Sequence, residues 1–84
     1  KSDFRKKAVY SVQAGAFENE KNALHLMDEL QKKGYAVFIR MGEWKDNRPF
    51  YSVMVGEYEK REDAQAESMR IRRQEGIQSF VYAE

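Results

Sequence analysis

The sequence predicts an α+β fold in which two helices cover one face of a four-stranded antiparallel sheet, in the ferredoxin-like order β-α-β-β-α-β. Two observations lead to this prediction. An alternating strand pattern that runs into a glycine and an aromatic residue occurs at 10–17 and again 41 positions later, at 51–58. Each copy is followed by a helical pattern and then by a glycine with an apolar run, which indicates one β-α-β unit used twice.

Length, charge and cysteine content narrow the class of protein. The 84 residues suffice for a single domain with one core. Lys and Arg number 15 against 14 Asp and Glu, and a net charge of +1 gives no strong attraction to nucleic acid or an anionic membrane. The absence of cysteine excludes disulfides and thiolate metal sites. No apolar run approaches the ~18 residues of a membrane span, and the chain starts at Lys1, so we expect a domain of a longer protein, with 1–7 as linker and 8–84 as the domain.

The first half of the chain predicts a strand, a helix and a second strand. The strand over 9–17 alternates, with Tyr10, Val12 and Ala14 inward and Ser11, Gln13 and Gly15 outward. The helix over 18–33 has an apolar stripe of Ala23, Leu26, Met27 and Leu30, with Asn19 as N-cap and Gly34 as a left-handed stop. The β-branched and aromatic run at 35–40 predicts the second strand, with Val37 and Ile39 inward and Phe38 and Arg40 outward.

The second half repeats this order after a hairpin loop at 41–49, which has Trp44 near its tip. The third strand, over 50–58, has Tyr51, Val53 and Val55 inward and Phe50, Ser52 and Met54 outward. A second helix over 61–75 has a thinner apolar stripe and ends at Gly76. The fourth strand is predicted over 77–82, with Phe80 and Tyr82 among its outward residues.

The outward strand positions combine aromatic rings with hydrogen-bonding groups. The rings are Phe38, Phe50, Phe80 and Tyr82, and the polar side chains include Gln13, Arg40 and Ser52. Sugars and nucleobases both suit such a surface, because their rings stack on aromatic side chains while polar groups bond their edges. An exposed aromatic patch is also typical of a protein interface. The residues alone therefore predict a binding face and leave its partner open.

Two motifs resemble a known family. Val12-Gln13-Ala14-Gly15-Ala16-Phe17 resembles the Val-Gln-x-Gly-Ser/Ala-Phe opening of SPOR (sporulation-related repeat) domains. Val53-Met54-Val55-Gly56-Glu57-Tyr58 resembles their Val-x-Val-Gly-Pro-Phe/Tyr midpoint. The resemblance covers about 8–82, as an internal repeat of 8–40 and 50–82. The chain departs from the family at Ser52, which often is Arg, and at Glu57, which often is Pro; Arg40 or Arg48 is a candidate to replace the missing arginine.

The resemblance implies a non-catalytic module of the bacterial cell envelope, periplasmic or on the cell-wall side. Its expected ligand is peptidoglycan, as glycan strands lacking stem peptides, and its expected role is to target a parent protein to the division septum or to remodelled wall. No cofactor, nucleic acid or membrane contact is expected, and the domain should be a monomer within a larger protein. Family position places Gln13, Ala16 and Phe50 in the glycan site, and the predicted open face and hairpin add Phe38, Arg40, Trp44, Ser52, Phe80 and Tyr82.

Other polar residues give no prediction of catalysis. His25 is the sole histidine and has no partner for metal binding or acid–base chemistry. Glu43, Asp46 and Glu57 lie at separations that fix no glycosidase geometry. A single-stranded RNA-binding domain has the same element order, but 50–54 lacks the glycine and alternate aromatics of that family. A protein-interaction or small-molecule regulatory domain is the third alternative.

Overall fold

The computed structural model describes residues 9–83, and the predicted linker at 1–7 lies outside the described residues. The elements are β1 (Tyr10–Phe17), α1 (Glu20–Lys32), β2 (Val37–Glu43), β3 (Pro49–Tyr58), α2 (Arg61–Glu75) and β4 (Phe80–Ala83). All strand pairings are antiparallel, in the order β2-β3-β1-β4. Both helices contribute to one core with the inward side chains of the sheet. The predicted fold class and element order are confirmed.

The two copies of the sequence repeat pair with each other at the centre of the sheet. β1 and β3 are neighbours, and Val12 lies opposite Val55. Gln13 lies opposite Met54, which is the residue 41 positions later in the repeat. Equivalent residues that face each other across an antiparallel pair lie beside a local two-fold axis, so the internal repeat becomes a pseudo-symmetric pair of central strands.

The core lies between these central strands and the helices. Its buried side chains are Val12, Ala14, Ala23, Leu30, Tyr35, Val53, Val55, Ala64 and Ile71. Each helix supplies two of these buried residues, but α1 also packs the half-buried Leu26 and Met27 against the cluster and α2 adds no such residue, which confirms the thinner apolar stripe expected for α2. Because burial of apolar area drives folding, a large share of the stability resides in the strands and in α1.

The helix ends follow the predicted capping residues. The Asn19 side chain accepts a hydrogen bond from the backbone N–H of Lys21 at 2.8 Å, so it caps α1. At the other end of α1, Gly34 has a positive φ of 98°. Helix α2 has no side-chain cap at its start and ends at Gly76, whose φ of 68° is left-handed and whose N–H donates to the carbonyl of Arg72.

A β-bulge in β1 corrects one predicted face. The pairing with β3 changes register between Gln13 and Gly15, because Ala14 is an extra residue on β1. Beyond it, Gly15 lies opposite the core residue Val53, and a Cβ atom on Gly15 would lie 3.3 Å from Leu26 of α1. Gly15 therefore belongs to the helix side and not to the outward set.

Two strand boundaries also differ from the prediction. β2 begins at Val37 and extends to Glu43. The sequence assigned Met41–Glu43 to the hairpin loop, but these residues continue the ladder with β3. β4 begins at Phe80 and not at Ile77. Ser79 instead turns inward, where its hydroxyl bonds Ser68 of α2. The backbone carbonyl of Ser79 accepts hydrogen bonds from the Arg72 guanidinium at 2.9 and 3.0 Å, and the ladder with β1 begins only at Phe80.

Candidate functional site

The sheet face opposite the helices, which we call the helix-free face, carries side chains from all four strands. Its residues are Ser11, Gln13, Ala16, Phe38, Arg40, Gly42, Phe50, Ser52, Met54, Phe80 and Tyr82. Residues opposite each other in a ladder share a face, and one complete row across the sheet is Phe38–Met54–Gln13–Phe80. Phe80 is 52% exposed, whereas Phe38 and Gln13 are half-buried. The row thus ends in an aromatic ring on each edge strand.

The middle of this face is covered. Arg40 is on β2 and Tyr82 on β4, the two edge strands, which are separated by three strand spacings of about 4.8 Å. The Arg40 guanidinium donates a hydrogen bond to the Tyr82 hydroxyl, and its carbon lies 4.4 Å from the centre of the Tyr82 ring. We call this contact the Arg40–Tyr82 bridge. It crosses above β3 and β1 and joins the two edges of the sheet.

Three side chains of the helix-free face are buried although no helix covers them. Ser52 lies opposite Arg40 in the β2–β3 ladder, and Ser11 lies opposite Tyr82 in the β1–β4 ladder. Both serines are 0% exposed, and Met54 between them is 1% exposed. Met54 is absent from the helix-side core, so its burial occurs on the helix-free face. The expectation that this face is open is therefore wrong for Ser11, Ser52 and Met54, the strip beneath the bridge.

One end of the helix-free face is an aromatic platform. The Trp44 and Phe50 rings lie 4.5 Å apart between centres, with an interplanar angle of 39°. Phe50 lies opposite Gly42, where a Cβ atom would come within 2.5 Å of the ring. A glycine thus admits the Phe50 ring against the backbone of β2. Trp44 is 39% exposed, contacts Phe50 and is not among the residues packed against the core.

Arg48 fixes the hairpin next to this platform. Its guanidinium lies 2.6 Å from a Glu18 carboxylate oxygen and 2.7 Å from an Asp46 carboxylate oxygen. Glu18 follows β1, so the ion pair ties the hairpin tip to the end of the first strand. Because Arg48 already serves two carboxylates, Arg40 is the better placed of the two arginines to meet an anionic ligand.

The structure brings the predicted site residues onto one face but leaves them unequally accessible. Gln13, Ala16, Phe38, Phe50, Trp44 and Phe80 are exposed or half-buried. Arg40 and Tyr82 are half-buried and bonded to each other, and Ser52 lies fully buried at the foot of Arg40. Sequence reasoning did not include Ser11 or Met54 in the site, although the alternation of strands one and three put both on this face.

A polar cluster on the helix side joins the ends of α1 and α2. Lys33 Nζ lies 2.5 Å from Glu75 Oε1, and the Tyr35 hydroxyl donates to Glu75 Oε2 at 3.1 Å. The hydrogen bond with Lys33 lowers the pKa of Glu75, and the same bond raises the pKa of Lys33. Burial, followed by the bond to Glu75, raises the pKa of Tyr35. The cluster is a structural link and lies away from the helix-free face.

The remaining polar candidates are on the surface. His25 is 77% exposed at its side chain and pairs with Glu29 at 3.3 Å, one helical turn away. Within residues 9–83, no group of three or more His, Asp or Glu side chains is arranged to hold a metal ion. The same described segment has no helix long and apolar enough to cross a membrane. The helix-free face is therefore the candidate site.

Comparison with known families and structures identifies relatives of this fold. The family model of the SPOR domain matches residues 6–83. The peptidoglycan binding domain of the Bacillus subtilis cell wall lytic enzyme CwlC is 25% identical, with a TM-score of 0.76, covering 100% of this chain and 99% of that one.

Two further solved structures share the fold. The SPOR domain of Pseudomonas aeruginosa RlpA is 23% identical with a TM-score of 0.68, over 88% of this chain and 96% of that one. The SPOR protein DedD is 19% identical with a TM-score of 0.67, over 89% of this chain and 38% of that one. No curated protein sequence matches the chain.

Proposed function

The chain belongs to the SPOR domain family, and on that premise we propose that it is a non-catalytic module that binds peptidoglycan. The structural relative from Bacillus subtilis is a peptidoglycan binding domain, and it matches this chain from end to end. The module would act in the bacterial cell envelope and bring a parent protein to the division septum or to remodelled wall. It would do so as a monomeric domain of that longer protein.

The observation that supports this function best is the row Phe38–Met54–Gln13–Phe80 on the helix-free face. Two aromatic rings flank the half-buried Gln13 amide. A sugar ring can stack on the aromatic rings while its hydroxyl or acetamido groups form hydrogen bonds with the amide. The Trp44–Phe50 platform extends this surface along the sheet. An extended glycan strand fits such a shallow surface better than a compact ligand, which would require a closed pocket.

We further propose that the ligand is a glycan strand stripped of stem peptides. Removing a stem peptide frees the carboxylate of the muramic acid lactyl group. Arg40 lies on the helix-free face and donates its hydrogen bond there to Tyr82, a neutral partner. A carboxylate forms a stronger, charge-assisted bond with a guanidinium than a neutral hydroxyl does. An intact stem peptide would remove this charge and place bulk on the Arg40 side of the face.

A sedimentation assay tests the function. The domain is mixed with purified sacculi before and after amidase removal of stem peptides, and the bound fraction is measured against sacculus concentration. We expect binding to increase after amidase treatment. Failure to bind either form would contradict the proposed function, and equal binding to both would contradict the preference for stripped strands.

Two variants test the residues. Gln13→Ala should weaken binding to amidase-treated sacculi about 2- to 10-fold, the value of one neutral hydrogen bond. Arg40→Ala should weaken it by roughly 10-fold or more, as expected for a bond to a charged group. Gln31→Ala is the matched control, because Gln31 is an exposed glutamine on α1. Unchanged affinity in Arg40→Ala would contradict the carboxylate hypothesis.

A further inference from the structure

Two buried hydroxyl groups on the helix-free face have no hydrogen-bond partner. They are the Oγ atoms of Ser11 and Ser52. Within residues 9–83 the other two buried serines, Ser68 and Ser79, are on the helix side, and their hydroxyls form a hydrogen bond of 2.9 Å with each other. A buried hydroxyl without a partner costs free energy in the folded state. Ser11 and Ser52 are therefore unusual within the described part of the chain, and both face the candidate site.

The ladder partners of these two serines are residues on the two edge strands of the sheet. Ser52 is opposite Arg40, and Ser11 is opposite Tyr82, so one serine lies at each foot of the Arg40–Tyr82 bridge. The bridge consists of one hydrogen bond and one cation–π contact between two half-buried side chains. Rotation of two side chains would open it without any change in the backbone ladder.

We propose that Ser11 and Ser52 form a cryptic part of the glycan site, which the Arg40–Tyr82 bridge covers in the free protein. The inference rests on the proposed function. When a carboxylate of the ligand takes Arg40 away from Tyr82, the two hydroxyls become accessible. A serine hydroxyl both donates and accepts, so it suits the hydroxyl and acetamido groups of an amino sugar. Met54, buried between the serines, supplies an apolar floor for the sugar ring or the acetamido methyl group.

The opening of the bridge can be measured without any ligand. The chain has no cysteine, so Ser52→Cys introduces a single thiol whose reaction with a disulfide reagent reports access to the covered strip. Adding Tyr82→Ala removes the hydrogen bond and the cation–π contact, and should raise the reaction rate about tenfold or more. Ser68→Cys, buried on the helix side at 5% exposure, is the matched control. If Tyr82→Ala leaves the reaction rate of the thiol at position 52 unchanged, or raises the rates at positions 52 and 68 equally, the proposal that the bridge covers this strip is wrong.

The role of the hydroxyls is tested with Ser11→Ala and Ser52→Ala. Each should weaken binding to amidase-treated sacculi about 2- to 10-fold while leaving the melting temperature equal or higher, because an unpartnered hydroxyl is removed. Ser79→Ala should lower the melting temperature and leave the affinity for sacculi unchanged, since the Ser79 hydroxyl is hydrogen-bonded and lies on the helix side. Unchanged affinity in both face variants, with binding by the unmodified protein, would overturn the cryptic site alone. Absence of binding by the unmodified protein would overturn the proposed function itself.

Discussion

The two glycines of the repeated motif occupy different environments, and substituting each with alanine measures the difference. Gly56 has a φ of +70°, and a Cβ atom there would lie 2.6 Å from both Cε2 and the hydroxyl of Tyr58. Gly15 has no positive φ, and its added Cβ would be 3.1 Å or more from the Phe17 ring. The sequence repeats a glycine, but β3 needs it for its backbone conformation, whereas in β1 it only relieves tight contacts with the Phe17 and Leu26 side chains.

The expected cost of Gly56→Ala has two parts. A left-handed alanine costs about 1–2 kcal/mol, offset by about 0.4–1 kcal/mol from a less flexible unfolded chain. Moving the Tyr58 ring out of a 2.6 Å clash adds about 1–3 kcal/mol. Gly76→Ala isolates the first part, since Gly76 has a φ of +68° with nothing within 4 Å of the added Cβ. We expect losses of about 2–4 kcal/mol for Gly56→Ala and about 1 kcal/mol for Gly76→Ala.

Urea denaturation followed by the fluorescence of Trp44, the single tryptophan, gives the assay. With a slope of about 1 kcal/mol per molar urea, the midpoint should fall by about 2–4 M in Gly56→Ala and about 1 M in Gly76→Ala. Gly15→Ala should lie within about 1 kcal/mol of the unmodified protein. Equal midpoints for Gly56→Ala and Gly76→Ala would refute the clash with Tyr58. Equal midpoints for Gly56→Ala and Gly15→Ala would refute the distinction between the two glycines.

Three further predictions concern the polar contacts. Because the pKa of Glu75 is lowered in the folded protein, its contribution to stability is complete above about pH 4.5 and is lost as the pH falls through the lower folded value. Glu75→Gln should therefore flatten the acid limb of a plot of melting temperature against pH. An unchanged acid limb would contradict the link to Lys33. Arg48→Ala should lower the free energy of unfolding by less than about 1 kcal/mol, because the ion pair of Arg48 with Glu18 is exposed. It should also increase acrylamide quenching of the fluorescence of Trp44 in the hairpin. Unaltered quenching would contradict the idea that this ion pair holds the hairpin against the end of β1. Asn19→Ala should lower the free energy of unfolding by about 1 kcal/mol in the same urea assay, and no loss would show that its cap bond is dispensable.

The periodicity of apolar residues predicted most of the fold, because burying one side of each strand and helix imposes that periodicity on the sequence. The inward sets of the second and third strands are in the core as expected, since alternation along a strand fixes its face once one residue is placed. The bulge at Ala14 was not predictable from that rule. An extra residue on one strand changes which side chains face the helices only where it has no opposite residue on the partner strand, and this depends on the pairing of β1 with β3. Gly15 consequently faces Leu26 of α1 and not the ligand side.

The sequence by itself determined the order of elements, the helix ends at Asn19 and Gly76, and the aromatic character of the helix-free face, because propensity, capping and alternation act between near neighbours. Only the tertiary structure decided that this face is partly closed. Arg40 and Tyr82 are 42 residues apart and on opposite edges of the sheet, so their contact depends on strand order and register. The same arrangement leaves the Ser52 hydroxyl buried and unbonded, a state that no local pattern encodes.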